Sequence, residues 1–203
     1  MAYSQGTETL QLLGSQLWER IGRSMEIVEQ RLRRTVDVLE KAGIPYAVVG
    51  GNAVRIWVAQ IDKGAVRATN DVDILIRPAD LERLKQAMHE AGFSHRQSAG
   101  VDMFVADENE SARNAVHLVL AGQMVRPDDH EPNPDVEPHQ RGDDFRTLPL
   151  EALVRMKLNS FRLKDKIHLL DMIQIGLIDA SWPGRFPVEL RERLQELIDN
   201  PNQ

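Results

Sequence analysis

The chain has 203 residues, 42% of them hydrophobic and 28% charged, with 13 glycines and 10 prolines, a composition that suits one ordinary globular domain and excludes a disordered or fibrous chain. The absence of cysteine rules out disulfides, thiolate metal sites and cysteine nucleophiles. A net charge of −6 argues against a broad polyanion-binding surface. No apolar run is long enough to span a bilayer, and the start MAYSQGTETL lacks a basic region followed by an apolar one, so a cytoplasmic protein without membrane contact is expected.

From Leu10, apolar residues recur at Leu13, Leu17, Ile21, Met25, Val28, Leu32, Val36 and Leu39, steps of three and four that predict one long helix, or two broken near Gly22, over residues 1–42. Its apolar stripe serves either packing within the chain or the seam of a homodimer. Ile44 to Val49 is a short β-rich run that ends at Gly50-Gly51 and leads into a helix. A second strand is expected at Asp71 to Ile76, then a helix from Leu81 to Ala91. Two further strands, Val101 to Ala106 and Ala115 to Leu120, have the spacing of an antiparallel hairpin. The core at 43–145 is therefore an α+β fold with a mixed sheet backed by helices.

Residues 126–144 hold Pro127, Pro132, Pro134 and Pro138, with seven acidic residues against two arginines. They read as a long loop that serves as a lid, a binding loop or a mobile connection. From 146 to 203 the chain is helical again, punctuated by Gly176 and Pro183 and closed by a helix from Val188 to Ile198. Trp18, Trp57 and Trp182 are scattered and are expected to pack in the interior. His130 and His139, near Asp128, Asp129 and Asp135, read as part of a polar loop rather than as a metal site.

The chemistry concentrates at two places. Asp71 and Asp73 are two apart on a strand, so their carboxylates share one face; side by side they repel unless a cation sits between them, and oxygen ligands suit Mg²⁺ or Mn²⁺. The alternative is a solvated strand. Gly50-Gly51, at a strand-to-helix turn, lets a phosphate approach bare backbone at the positive end of a helix, or serves only as a turn that needs positive φ. Asn52 is placed to cap that helix or to touch a ligand. Together a phosphate cradle and a pair of metal-binding carboxylates describe a site for a nucleoside triphosphate.

Val48-Val49-Gly50-Gly51-Asn52-Ala53 followed by Arg67-Ala68-Thr69-Asn70-Asp71-Val72-Asp73-Ile74 resembles the nucleotidyltransferase superfamily. The resemblance is to small bacterial members related to abortive-infection toxins. It extends to Lys157 and to Arg162-Leu163-Lys164-Asp165-Lys166, and spans roughly residues 35 to 180. It implies that Gly50, Gly51 and Asn52, with Arg67, Thr69, Lys157 and Lys164, hold the triphosphate. It further implies that Asp71 and Asp73 hold Mg²⁺, and that a nucleoside monophosphate, from ATP or another triphosphate, passes to an acceptor with loss of pyrophosphate.

In that family a third carboxylate commonly stands on a neighbouring strand, where this sequence has His117. Four readings stand: a general base for the acceptor's proton, a metal ligand better suited to Mn²⁺, a structural histidine with its bonds satisfied, or the mark of a site that binds without turnover. The stretch Arg146 to His168, with six basic against two acidic residues, is the basic patch. On one continuous helix, Lys157, Lys164, His168 and Asp171 would share a stripe facing triphosphate. If Asp165 starts a new helix, the two lysines diverge. The expected function is metal-dependent nucleotidyl transfer to RNA, protein or a small molecule, the acidic loop suiting a cationic one. The alternatives are a noncatalytic nucleotide-binding or protein-interaction module and the toxin of a toxin–antitoxin pair.

Overall fold

The computed structural model describes residues 3–98, 100–107, 111, 114–127, 129–142 and 144–201; in the first helix, side chains are described continuously from Gly22. Helix α1 (Tyr3–Lys41) runs unbroken through Gly22. Its second half buries Val28, Leu32, Val36 and Leu39, the last four apolar positions of the predicted stripe. The side chains of Leu10, Leu13, Leu17 and Ile21, on which a dimer seam would rest, and that of Trp18 lie outside the described residues.

Strand β1 (Tyr46–Val49) leads directly into α2 (Gly50–Ala59). Then follow β2 (Val72–Ile76), α3 (Leu81–Glu90), and the strands β3 (Ser94–Ser98), β4 (Val101–Val105) and β5 (Val116–Leu120). The chain continues through β6 (Gln140–Arg141) and β7 (Arg146–Thr147) into α4 (Leu150–Ser160), α5 (Leu163–Gln174) and α6 (Val188–Asp199). The seven strands form one mixed sheet in the order β3-β4-β5-β2-β1-β7-β6. β1 and β2 are antiparallel and β2 and β5 parallel, while β4 and β5 form the predicted antiparallel pair. Sequence patterning did not anticipate β3, β6 or β7. β3 reads SHRQS and is largely exposed, with no apolar face to signal it, and the other two have only two residues each.

Period-two alternation sorts the strands between two cores. Val72, Ile74, Ile76, Val116 and Leu118 pack with α1 and α3. Leu75, with Ala47 and Val49 of β1, packs under α2, α4, α5 and α6. Asp73, alternating with Val72 and Ile74, falls on the second face, as does its cross-strand neighbour His117. The polar face of β2 and β5 is thus roofed by the C-terminal helices. Trp57 and Trp182 are buried in this second core, the Trp57 indole donating to the Leu148 carbonyl.

The proline-rich stretch is tied down where it is described. Asn133 is buried, donates to the Leu120 carbonyl and exchanges backbone bonds with residues 122 and 123. Asp135 and Glu137 pair with Arg77, Glu131 with Arg155 and Asp144 with Arg33. Val136 is fully buried. A free acidic lid is therefore not what these residues form: four of the loop's carboxylates are engaged by arginines of the scaffold, and its end joins the sheet as β6. No described helix is long and apolar enough to cross a membrane.

Candidate active site

The site begins where β1 turns into α2. Gly50 adopts φ +65°, a conformation that L side chains resist. A β-carbon there would stand 1.8 Å from the Asp73 Oδ2, so the glycine also makes room for that carboxylate. Gly51 is confined in the same way: its β-carbon would meet the Thr69 hydroxyl at 2.7 Å. The two glycines thus let the helix start lie directly against Asp73 and against Thr69. Asn52 lies in the first turn of α2 rather than at its cap, and its amide donates to the Asp71 carbonyl at 2.8 Å, fixing the entry to β2.

Asp71 sits one residue before β2 and Asp73 within it. His117, directly across from Asp73 on β5, brings its Nδ1 to 3.6 Å from Asp73 Oδ1. One ligating atom from each of the three lies within 4.8 Å of the others, the one such group among the described residues. Donors bound at about 2.1 Å to a common divalent ion stand about 3 to 4 Å apart, so the set needs little adjustment to hold one. Two carboxylate oxygens and an imidazole nitrogen are acceptable to Mg²⁺ and better suited to Mn²⁺.

Three groups brace Asp71. The Thr69 hydroxyl donates to its Oδ1 at 2.6 Å, the Lys164 ammonium stands 3.5 Å from its Oδ2, and His117 is close by. Burial works to raise the Asp71 carboxyl, but the Thr69 bond, the Lys164 charge and a backbone N–H outweigh it and hold the group below its ordinary value. It is ionised at neutral pH.

The remaining candidates are placed differently from one another. α4 and α5 are two helices, broken at Phe161, which takes φ +43°. The stripe expected on one continuous helix is therefore divided. Lys157 turns inward and pairs with Asp165 at 2.9 Å, both almost fully buried; Ser160 and Arg162 complete the clasp on Asp165. Lys164, beyond the break, is half exposed and reaches Asp71. Arg67 is engaged elsewhere: two of its guanidinium nitrogens bond the Asp171 carboxylate. The structure thus brings together Gly50, Gly51, Asn52, Thr69, Asp71, Asp73, His117 and Lys164, and holds Lys157 and Arg67 in separate ion pairs. His168, which the sequence placed on the stripe that would face triphosphate, also borders the site.

Two cavities meet at this cluster. One of about 360 Å³ lies between the sheet and α4, with apolar walls from Met103, Val119, Leu153 and Met156 and with Gly50 in its lining. The other, about 520 Å³ and more open, is bordered by Gly51, Thr69 and His168. Asp71, His117 and Lys164 line both.

A family model described as "Uncharacterised nucleotidyltransferase" matches residues 15–155. The chain belongs to this nucleotidyltransferase family. The matched stretch contains the glycine turn, Asp71, Asp73 and His117 and ends before Lys157. No curated protein matches the sequence. Among solved structures, an antigenic nucleotidyltransferase-like protein from Paracoccidioides brasiliensis aligns with a TM-score of 0.55 at 16% identity, over 86% of this chain and 88% of that one. JHP933 from Helicobacter pylori aligns with a TM-score of 0.52 at 15% identity, over 89% and 76%. These likenesses show the fold: the mixed sheet with its flanking helices is the nucleotidyltransferase-like α+β fold expected from the sequence.

Proposed function

We propose that the protein transfers a nucleoside monophosphate from a nucleoside triphosphate, ATP among the candidates, to an acceptor hydroxyl, with Mg²⁺ or Mn²⁺ at Asp71 and Asp73. The observation that carries the reading is the position of the Asp71–Asp73–His117 cluster. It stands at the junction of two cavities and beside the bare start of α2, as a reaction that joins two substrates at one phosphorus requires. The acceptor oxygen forms a bond to the α-phosphorus while the α–β bridging bond breaks and pyrophosphate leaves. Bound metal supplies charge neutralisation to the phosphates. Lys164 adds a positive charge at the same point, Thr69 and Asn52 hold Asp71 in place, and the Gly50–Gly51 turn offers backbone N–H groups to phosphate.

His117 serves there on one of two terms. As a metal ligand it is replaceable by Asp; as the base that takes the acceptor's proton it is not. His117→Asp that preserves or raises Mg²⁺-dependent activity assigns it to the metal, and loss of activity assigns it to the proton. A second reading, binding without transfer, is favoured by the same residue, since imidazole is a poorer Mg²⁺ ligand than carboxylate.

The deciding experiment incubates the protein with Mg²⁺ or Mn²⁺ and each labelled triphosphate, following pyrophosphate release and label transfer to itself, to total RNA and to small molecules. Asp71→Ala/Asp73→Ala is the control. Release that the double variant loses supports transfer, and the labelled species names the acceptor as RNA, protein or small molecule. Triphosphate binding without release under every condition supports the binding module instead. A toxin role predicts growth arrest on expression that Asp71→Ala relieves.

A further inference from the structure

Three polar side chains stand on one face of α5 at steps of four and three: Lys164, His168 and Asp171. The face is turned to the segment 67–71 and to the start of α2. Lys164 meets Asp71, and Asp171 accepts from Arg67. His168, between them, has no such partner. Its Nδ1 is buried without a hydrogen bond, and its ring borders both the open 520 Å³ cavity and a small recess against Gly51, Val54 and Arg67. Buried polar atoms are nearly always paired; the recess at Nδ1 has room for no more than a bound water, so a ligand in the open cavity is met by the other ring nitrogen, Nε2.

The chemistry of a ligand in the open cavity follows from what else borders it. Asp71, His117 and Lys164 are on one side, and Gly51, with no side chain and a first-turn N–H, is on the other. A group lying between them is in contact with the metal-binding cluster and a lysine, which are the surroundings of a phosphate. Burial, with the Lys157 and Lys164 charges, lowers the imidazole to about 4 against the opposing carboxylates of Asp165 and Asp171. The ring is neutral at neutral pH and offers one N–H and one lone pair.

Resting on the nucleotide reading above, we propose that His168 is a binding residue for the triphosphate chain, its imidazole donating a hydrogen bond to a phosphate oxygen held between Asp71, Lys164 and Gly51. Mg²⁺-tripolyphosphate is the direct probe because it carries no base, and Mg²⁺-ATP serves beside it. Calorimetric titration of the wild type, His168→Ala and His168→Gln reads affinity, and ¹⁵N-histidine NMR of the wild type reads the ring itself.

The expected result is about tenfold weaker tripolyphosphate binding in His168→Ala, as for loss of one hydrogen bond to a charged group. His168→Gln, whose amide can donate, recovers most of it, and the His168 ring resonances shift when the probe is added. Equal affinity in wild type and His168→Ala, with unmoved ring resonances, overturns the proposal and leaves the ring to an ordinary bound water. A wild type that binds neither probe overturns the nucleotide reading itself, and this proposal with it. Should His168→Ala fail to fold, the wild-type ring shift and the His168→Gln affinity carry the decision.

Discussion

The molecule holds two clusters of opposite charge within one turn of α5 of each other, and they are built on opposite terms. At the α4–α5 break, Asp165 is 1% exposed and accepts from Lys157, Arg162 and Ser160, so every charge there has a partner of the protein's own. At the end of β2, Asp71 and Asp73 lie beside each other with one half-exposed lysine and one imidazole, and negative charge is left over. A closed, buried pair is a fixture of the fold. An open pair of like charges, left with negative charge in excess, is what the proposed metal site requires.

The sharpest break between the two comes from substitution. Asp71→Ala or Asp73→Ala should abolish pyrophosphate release, by about a thousandfold or more, while leaving the thermal midpoint unchanged or raised, since a like-charge contact is removed. A midpoint that falls steeply would make these carboxylates structural instead.

Asp165→Asn should do the reverse, costing about 3–5 kcal/mol in urea unfolding because Lys157 is left charged, buried and unmatched. The Asp165 carboxyl is held well below its usual value: burial opposes ionisation, but Lys157, Arg162 and Ser160 prevail. Its contribution is therefore complete above the unfolded carboxyl pKa of about 3.9 and fades as pH falls through the lower folded value. Wild-type stability should decline below about pH 4, and more gently in Asp165→Asn.

Gly50→Ala tests the junction of fold and site. It should cost about 1–2 kcal/mol for the left-handed backbone and should also weaken Mn²⁺ binding, because the new methyl displaces the Asp73 carboxylate. Stability lost with metal affinity intact would mean that only the turn needs the glycine. The smallest effect is expected at Lys164, where replacement by Ala should raise the KM for triphosphate about tenfold with unfolding free energy unchanged within about 0.5 kcal/mol. An unaltered KM would remove Lys164 from the site.

Much of this was legible in the chain itself. The acidic pair and the double glycine are local features, fixed by period-two alternation and by a strand-to-helix turn. The hairpin that carries His117 follows from two short apolar runs at the right spacing. β3 was not legible, because it has no apolar face; a new helix near Asp165 was one of two readings of the sequence and is the one the structure takes, but the sequence did not choose it, because the helical pattern of apolar residues continues on either side of Phe161.

Local order alone pointed to the mixed α+β fold, the shared face of Asp71 and Asp73 and a glycine turn at residues 50 and 51. Tertiary structure decided which carboxylate each cation meets. Lys157 and Lys164 are alike in sequence, yet the turn at Phe161 sends one into the interior to neutralise Asp165 and the other across to Asp71. Arg67, two residues from Thr69, is drawn to Asp171 on a helix 104 positions away. A charged side chain settles where its desolvation is best compensated, and that depends on which partners the folded chain brings within reach.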